Sequence, residues 1–371
     1  MDPKGKDKER FILDKIRQNP FISQQDLADQ LSISRSAVAG MIAGLVKQGL
    51  ILGRAYVLAD KERVVCIGGA NIDQKARMDG LLEMRTSNPV SVSRSFGGVA
   101  RNVAESLSQF EIPSALMTIV GEDDDGRAML EDCGRRGVDI SLCREVAGYR
   151  TGNYTAVLDP AGEMLLALAD MEIYEKMSIS MIEASWFKIR SSEMVVVDTN
   201  LPREVLHWII CQGESESMKL CLLPVSVPKA KRLPKDLSGV DLLIGNKDEI
   251  GVIVDQEVVS KAEAERACQR LIDQGVTKAV VTLGAEGTVF QEAGGTVGWV
   301  PAGKAKVIDV TGAGDAFATG VITGLCRGTG LAEACQLGAS LAKATLEVEM
   351  SVVAMMTTDG LLKRWEEEYR V

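Results

Sequence analysis

The chain has 371 residues, 46% hydrophobic and 25% charged, which gives room for two or three globular domains. No apolar run approaches the ~20 residues of a membrane span, and the charged start MDPKGKDKER is unlike a signal peptide, so a cytoplasmic protein without a membrane partner is expected. The net charge of −10 divides into +2 over residues 1–60 and −12 over the rest, which confines any nucleic-acid binding to the N-terminal segment.

Residues 8–60 read as a separate unit. KERFILDKIRQNP carries Phe11, Ile12 and Ile16 at helical spacing and stops at Pro20. SQQDLADQL starts on Ser23, a good N-cap, and packs through Leu27 and Leu31. SRSAVAGMIAGLVKQGLI repeats Val38, Ile42, Leu45 and Val46 on one face and ends at Gly49. LILGRAYVLA then reads as two short strands turning near Gly53 and Arg54. Three helices and a small hairpin form a winged helix-turn-helix pattern, and the stretch resembles the N-terminal modules of small bacterial regulators. Its third helix would enter the major groove of DNA with Ser34, Arg35 and Ser36 at its leading end. A charge of +2 is a weak footprint for DNA, so a docking or dimerisation unit stands as the other reading.

From residue 61 the texture changes. Apolar strand-like runs recur at RVVCIGGANID, PSALMTIVG, MVVVDTN, KLCLLPVS, VDLLIGN and AVVTLGAEG, with helical stretches at 99–110, 125–137, 202–211 and 260–275. The alternation predicts an α/β domain over 61–371, with a parallel sheet covered by helices on both faces. Segments of about 74–96 and 149–170 break the pattern. TGNYTAVLDPAGEMLLALAD alternates apolar and polar residues about a Pro-Ala-Gly turn, and two such hairpins would make a small sheet over a site.

The eight cysteines form no CxxC pair and His207 is the only histidine, which argues against a zinc site, a redox motif or a histidine triad. The chemistry lies instead in DVTGAGDAFATG, residues 309–320. Glycines let a backbone approach a ligand closely, and a helix beginning at Gly312–Asp315 would aim free N–H groups at an anion. Gly312, Ala313 and Gly314 would form an anion hole. Asp315 beside it suits a base that takes a proton from an attacking hydroxyl during phosphoryl transfer. A helix cap with a glycine-rich turn is the plain alternative.

DVTGAGDAF resembles the C-terminal signature of the ribokinase-like (PfkB) sugar and nucleoside kinases, and four more blocks follow that family in order. GGANID resembles the end of its first strand, where Asn71 and Asp73 would meet sugar hydroxyls. GGVARN resembles its Gly-Gly substrate loop, with Gly97, Gly98 and Asn102. GNKDE resembles the N-x-x-E motif that organises Mg²⁺ and phosphates, giving Asn246 and Glu249. TLGAEG resembles the nucleotide-binding turn, with Thr282, Gly284 and Gly287. The resemblance spans roughly residues 62–365. It implies a three-layer α/β/α sandwich with a β-sheet lid, behind a helical N-terminal domain of residues 1–60. It also implies ATP as co-substrate, Asp315 as base, Glu249 acting through water on Mg²⁺, K⁺ near Asp309, and a homodimer.

Both lid segments resemble the pseudouridine-kinase branch, some of whose bacterial relatives carry an N-terminal helix-turn-helix. Asn200 is assigned to the substrate on that likeness, and Asp170 reads either as a substrate contact or as a cap on the lid. Arg101 reads either as a substrate contact or as a salt bridge on the helix surface. One departure stands out: the branch reads D-P-V-S where this chain has LLPVS, with Leu223 in place of an acid. The expected activity is transfer of the ATP γ-phosphate to the 5′-hydroxyl of pseudouridine. Inosine, guanosine, cytidine or ribose are alternative acceptors, and a nucleoside-sensing regulator is the reading from another class.

Overall fold

A computed structural model describes residues 3–19, 22–52, 62–348, 352 and 356–369. They group into two compact units, one of residues 1–62 with 183–193 and one of 63–182 with 194–371.

In the first unit, helices Pro3–Gln18, Gln24–Leu31 and Arg35–Lys47 enclose a core that includes Ile12, Ile16, Leu27, Val38, Ile42 and Leu45. Ser23 caps the second helix in a capping box: its hydroxyl accepts the N–H of Asp26, whose carboxylate accepts the N–H of Ser23. Ser34 caps the third helix through the N–H of Ala37 at 3.2 Å, and Gly49 follows that helix at φ +68°. Val46, expected in the apolar stripe, is 47% exposed. It lies about 70° around the helix from the centre set by Val38, Ile42 and Leu45, at the stripe's edge. The two short strands expected about Gly53 and Arg54 lie outside the described residues.

Among its described residues the second unit contains fourteen strands in chain order. They are β1 (Val64–Ile67), β2 (Asn71–Met78), β3 (Val90–Gly97), β4 (Ser114–Met117), β5 (Ile119–Gly121), β6 (Arg144–Val146) and β7 (Asn153–Leu158). Then come β8 (Met164–Asp170), β9 (Met194–Asp198), β10 (Leu220–Leu223), β11 (Leu242–Asn246), β12 (Lys278–Thr282), β13 (Thr288–Glu292) and β14 (Gly298–Val300). An eight-stranded sheet runs β14-β13-β12-β11-β10-β9-β1-β4. The strands from β4 to β12 pair in parallel, whereas β13 and β14 are antiparallel. The all-parallel expectation fails at that edge because β12 and β13 are joined by a tight turn at Gly284–Gly287, too short for the crossover a parallel pair needs. β1, β4, β9 and β10 are buried at every position, the mark of a sheet covered on both faces. The strands' carboxyl ends, where open α/β sheets hold ligands, lead into the glycine-rich turns.

The two hairpins meet in a separate four-stranded sheet, β3-β2-β7-β8. β2 pairs antiparallel with β3 and parallel with β7. This register sets Asn71 opposite Gly97 and Asp73 opposite Ser95. No helix among the described residues is long and apolar enough to cross a membrane.

Candidate active site

The turn after β1 is held by a buried acid that sequence reasoning passed over. Asp198, at the carboxyl end of β9, is fully buried and accepts the backbone N–H groups of Gly69 at 2.8 Å, Ala100 at 3.1 Å and Asn200 at 2.8 Å. Burial raises its pKa while these N–H groups pull it back down. One carboxylate thus ties three loops together: the β1 turn, the start of helix Val99–Gln109, and the loop after β9. A Cβ on Gly68 would collide with it. Tyr174, also fully buried, accepts the N–H of Ala70 at 2.9 Å and donates to its carbonyl. The signal for Asp198 was available in VVVD, an acid closing an apolar strand. Tyr174 left no such signal.

Gly97 and Gly98 are required by close approach. A Cβ on Gly97 would strike the Asp73 carboxylate, and one on Gly98, at φ +102°, would strike the carbonyl of Gly69. Gly98 precedes helix Val99–Gln109, whose first turn carries Asn102. The Asn102 amide donates to Asp315 Oδ2 at 2.7 Å. Asp315 stands in the first turn of helix Ala313–Cys326, behind Gly312 at φ +80°. Burial pushes its pKa up to about 6; the Asn102 hydrogen bond opposes this, and the charges of Asp198 and Asp73 add to it.

Asn246, Glu249, Thr282, Gly314 and Asp315 line one cavity of about 190 Å³, with Leu223, Pro224 and Val225 on its apolar side. The N-x-x-E spacing has a structural use that sequence reading missed. Asn246 Oδ1 accepts the N–H groups of Asp248 at 3.0 Å and Glu249 at 2.9 Å, and Glu249 Oε2 accepts that of Asn246 at 3.0 Å. This is a capping box. Burial pushes Glu249 up to about 7, with Asn246 opposing and the Asp315 charge adding to it. A buried carboxylate with one oxygen uncommitted by the cap suits a divalent cation held through water. Thr282 closes β12, Gly284 has φ +59°, and Gly287, at φ +110°, passes so close to the Val300 carbonyl that no Cβ fits.

On the lid strand β2, the Asn71 amide donates to Asp73 Oδ1 at 2.6 Å, and burial raises the Asp73 pKa. Asn200 is buried, with its amide against Gly69. Asp170 stands exposed at the end of β8, opposite Asn153, and is not among the residues lining the Asp315 cavity. Arg101 is 4% exposed, so it is no surface salt bridge. Its guanidinium pairs with Glu105 and Asp132 and donates to the Phe96 carbonyl at 2.9 Å and to Asn102 Oδ1 at 3.1 Å. It lines a second cavity, of about 380 Å³, rather than the one with Asp315. Asp309 is engaged by the Lys75 ammonium. In the N-terminal unit, Ser34, Arg35 and Ser36 are all exposed.

A family model described as the pfkB family of carbohydrate kinases matches residues 61–356. The chain belongs to the PfkB family. Relatives agree. This PfkB chain is 30% identical over 321 residues to an uncharacterized sugar kinase of Escherichia coli, covering 86% of this chain and 88% of that one. It is 28% identical over 292 residues to the pseudouridine kinase of E. coli, covering 79% and 93%. The ribokinase of Arabidopsis thaliana complexed with ribose and ATP superposes with a TM-score of 0.72 at 20% identity, over 82% of this chain and 99% of that one, a likeness of fold alone. A MarR family model matches residues 8–53. The protein is therefore a sugar or nucleoside kinase, a phosphotransferase with an alcohol acceptor, and kinases of this family use ATP with a divalent metal.

Proposed function

We propose that this PfkB kinase transfers the γ-phosphate of ATP to the 5′-hydroxyl of pseudouridine. The observation that carries the reading is the half-buried Asp315, oriented by Asn102 at 2.7 Å and set beside the backbone N–H groups of Gly312, Ala313 and Gly314 at a helix start. Asp315 takes the hydroxyl proton as the oxygen bonds to the γ-phosphorus. The bond to the β,γ-bridging oxygen breaks, and ADP leaves. The N–H groups of Gly312 and Gly314 stabilise charge on the phosphoryl group in flight, and that of Ala313, which donates to the Val310 carbonyl at 3.4 Å in this structure, would turn to the phosphate. Mg²⁺, when bound, neutralises phosphate charge, and Glu249 with Asn246 would hold it through water. Thr282, Gly284 and Gly287 would border ATP. Asn71 and Asp73, side by side on β2, suit the vicinal hydroxyls of a ribosyl ring, with Gly97, Gly98, Asn102 and Asn200 completing the acceptor side; Asp170, paired through Asn153 with Ile72, lies on the other face of the lid sheet.

Pseudouridine is favoured over other acceptors by likeness to the E. coli pseudouridine kinase. The division at residue 60 belongs to the same reading, as does a homodimer. The lid supports the dimer by exposing Val92, Leu166 and Leu168 on one face at 41–60%, an apolar face fitted to a second copy. The N-terminal match favours a second role in DNA binding, through Ser34, Arg35 and Ser36. The test of substrate is kcat/KM for pseudouridine, uridine, cytidine, inosine, guanosine and ribose, with the phosphorylated position read by ³¹P-coupled NMR. A higher kcat/KM for any other acceptor would replace pseudouridine.

A further inference from the structure

The PfkB likeness implies a monovalent cation at Asp309, and the residues around that carboxylate do not fit one. One oxygen of Asp309 holds the Lys75 ammonium, and the other accepts the backbone N–H of Thr311 at 2.9 Å. A metal ion on Asp309 would sit against an ammonium group, and like charges at contact distance repel.

We propose that Lys75 is a built-in monovalent cation. Its charge replaces the ion, so that transfer by this chain is independent of added potassium. The ammonium also does what a free ion cannot. Lys75 lies on lid strand β2, two and four residues from Asp73 and Asn71 and so on the same face. Asp309 lies three residues before Gly312, on a loop pinned from its other side by the N–H of Ile308 to the Leu346 carbonyl at 2.7 Å. The Lys75–Asp309 pair therefore joins the strand that meets the acceptor to the loop that shapes the anion hole. Lys75 acts through Asp309 and is a positioning residue. Its side chain is 32% exposed and that of Asp309 18%, so the pair is shielded from solvent more than a surface ion pair.

The inference rests on the kinase reading, and its test includes a readout that does not. The full chain is studied in N-methyl-D-glucamine buffer, and potassium chloride is exchanged in at constant ionic strength. Melting temperature and ADP release are both followed. Wild type should show the same melting temperature and turnover with and without potassium. Lys75→Met should lose about tenfold in turnover and regain part of it with potassium or ammonium, its melting temperature rising in parallel. Lys75→Arg should stay indifferent to potassium. Wild type that melts higher or turns over faster in potassium would overturn the proposal, as would a Lys75→Met protein that is fully active and indifferent. If Lys75→Met does not fold, the wild-type arm decides alone. If no acceptor is phosphorylated, the kinase reading fails while the melting curves still decide the role of Lys75.

Discussion

Asn102 and Asp315 are 213 residues apart in sequence, and the amide of one donates to the carboxylate of the other at 2.7 Å. The orientation of that amide is fixed from behind. Arg101 donates to Asn102 Oδ1 at 3.1 Å, so the side that faces Asp315 is the donor. Arg101 is in turn held by Glu105 and Asp132. A buried ionic cluster thus determines how the base is presented.

That relationship predicts the pH profile. A general base works only when deprotonated, so kcat/KM should fall as pH drops through about 6, the value to which burial lifts Asp315. The Asn102 hydrogen bond lowers that pKa. Asn102→Leu should therefore move the acidic limb upward, by about one unit for a hydrogen bond to a charged group. An Asn102→Leu profile that does not move would separate the acidic limb from Asp315.

Asp315 should also weaken the fold that holds it. Its folded pKa is raised above the ordinary 3.8, so the folded chain binds this proton more tightly than the unfolded one. The stability it contributes is full below pH 3.8 and is lost as pH rises through about 6. Asp315→Asn should thus raise stability at neutral pH by about 1–3 kcal/mol, and the gain should shrink toward the acid end. Melting curves of both proteins across that range check the sign.

Gly314 and Gly98 should respond to alanine in opposite ways. A Cβ on Gly314 meets nothing within 4 Å, and the residue lies in a helix and lines the Asp315 cavity. Gly314→Ala should stabilise the fold by up to about 1 kcal/mol and still lower turnover by occupying phosphate space. Gly98→Ala meets both a positive φ and the Gly69 carbonyl, so it should destabilise by about 2 kcal/mol or more. Denaturant titrations with parallel rate measurements distinguish the two.

How much of this was legible depended on whether a residue's use is local. Ser23 and Gly49 act on their own turn, and their types declare it. The Asp315 turn was equally readable, because a helix start needs its glycine next to it in sequence. Asp198 and Tyr174 serve loops 98–129 and 104 residues away, and nothing adjacent announces such partners. The sequence leaves Arg101 between two uses because one residue of helical rotation decides whether it faces the acceptor or the cluster of Glu105 and Asp132. The antiparallel β13 and β14 were missed because the strand-and-helix rhythm before them set the expectation.

The N-terminal unit makes its own prediction. If its third helix reads DNA, Arg35→Ala should weaken binding to the chain's own upstream DNA. It should also reduce the slope of log affinity against log salt by about one if Arg35 meets a phosphate. Gel shifts at several salt concentrations measure both. Binding that is absent, or indifferent to salt, would leave the unit as a docking element.

The most direct test of the central claim is coupled ADP release with pseudouridine for wild type and Asp315→Asn. The account predicts turnover by wild type and a loss of about 10²–10⁴-fold in the variant, with pseudouridine still bound by calorimetry. Nucleoside binding without ADP release from wild type, or undiminished release from Asp315→Asn, would contradict it.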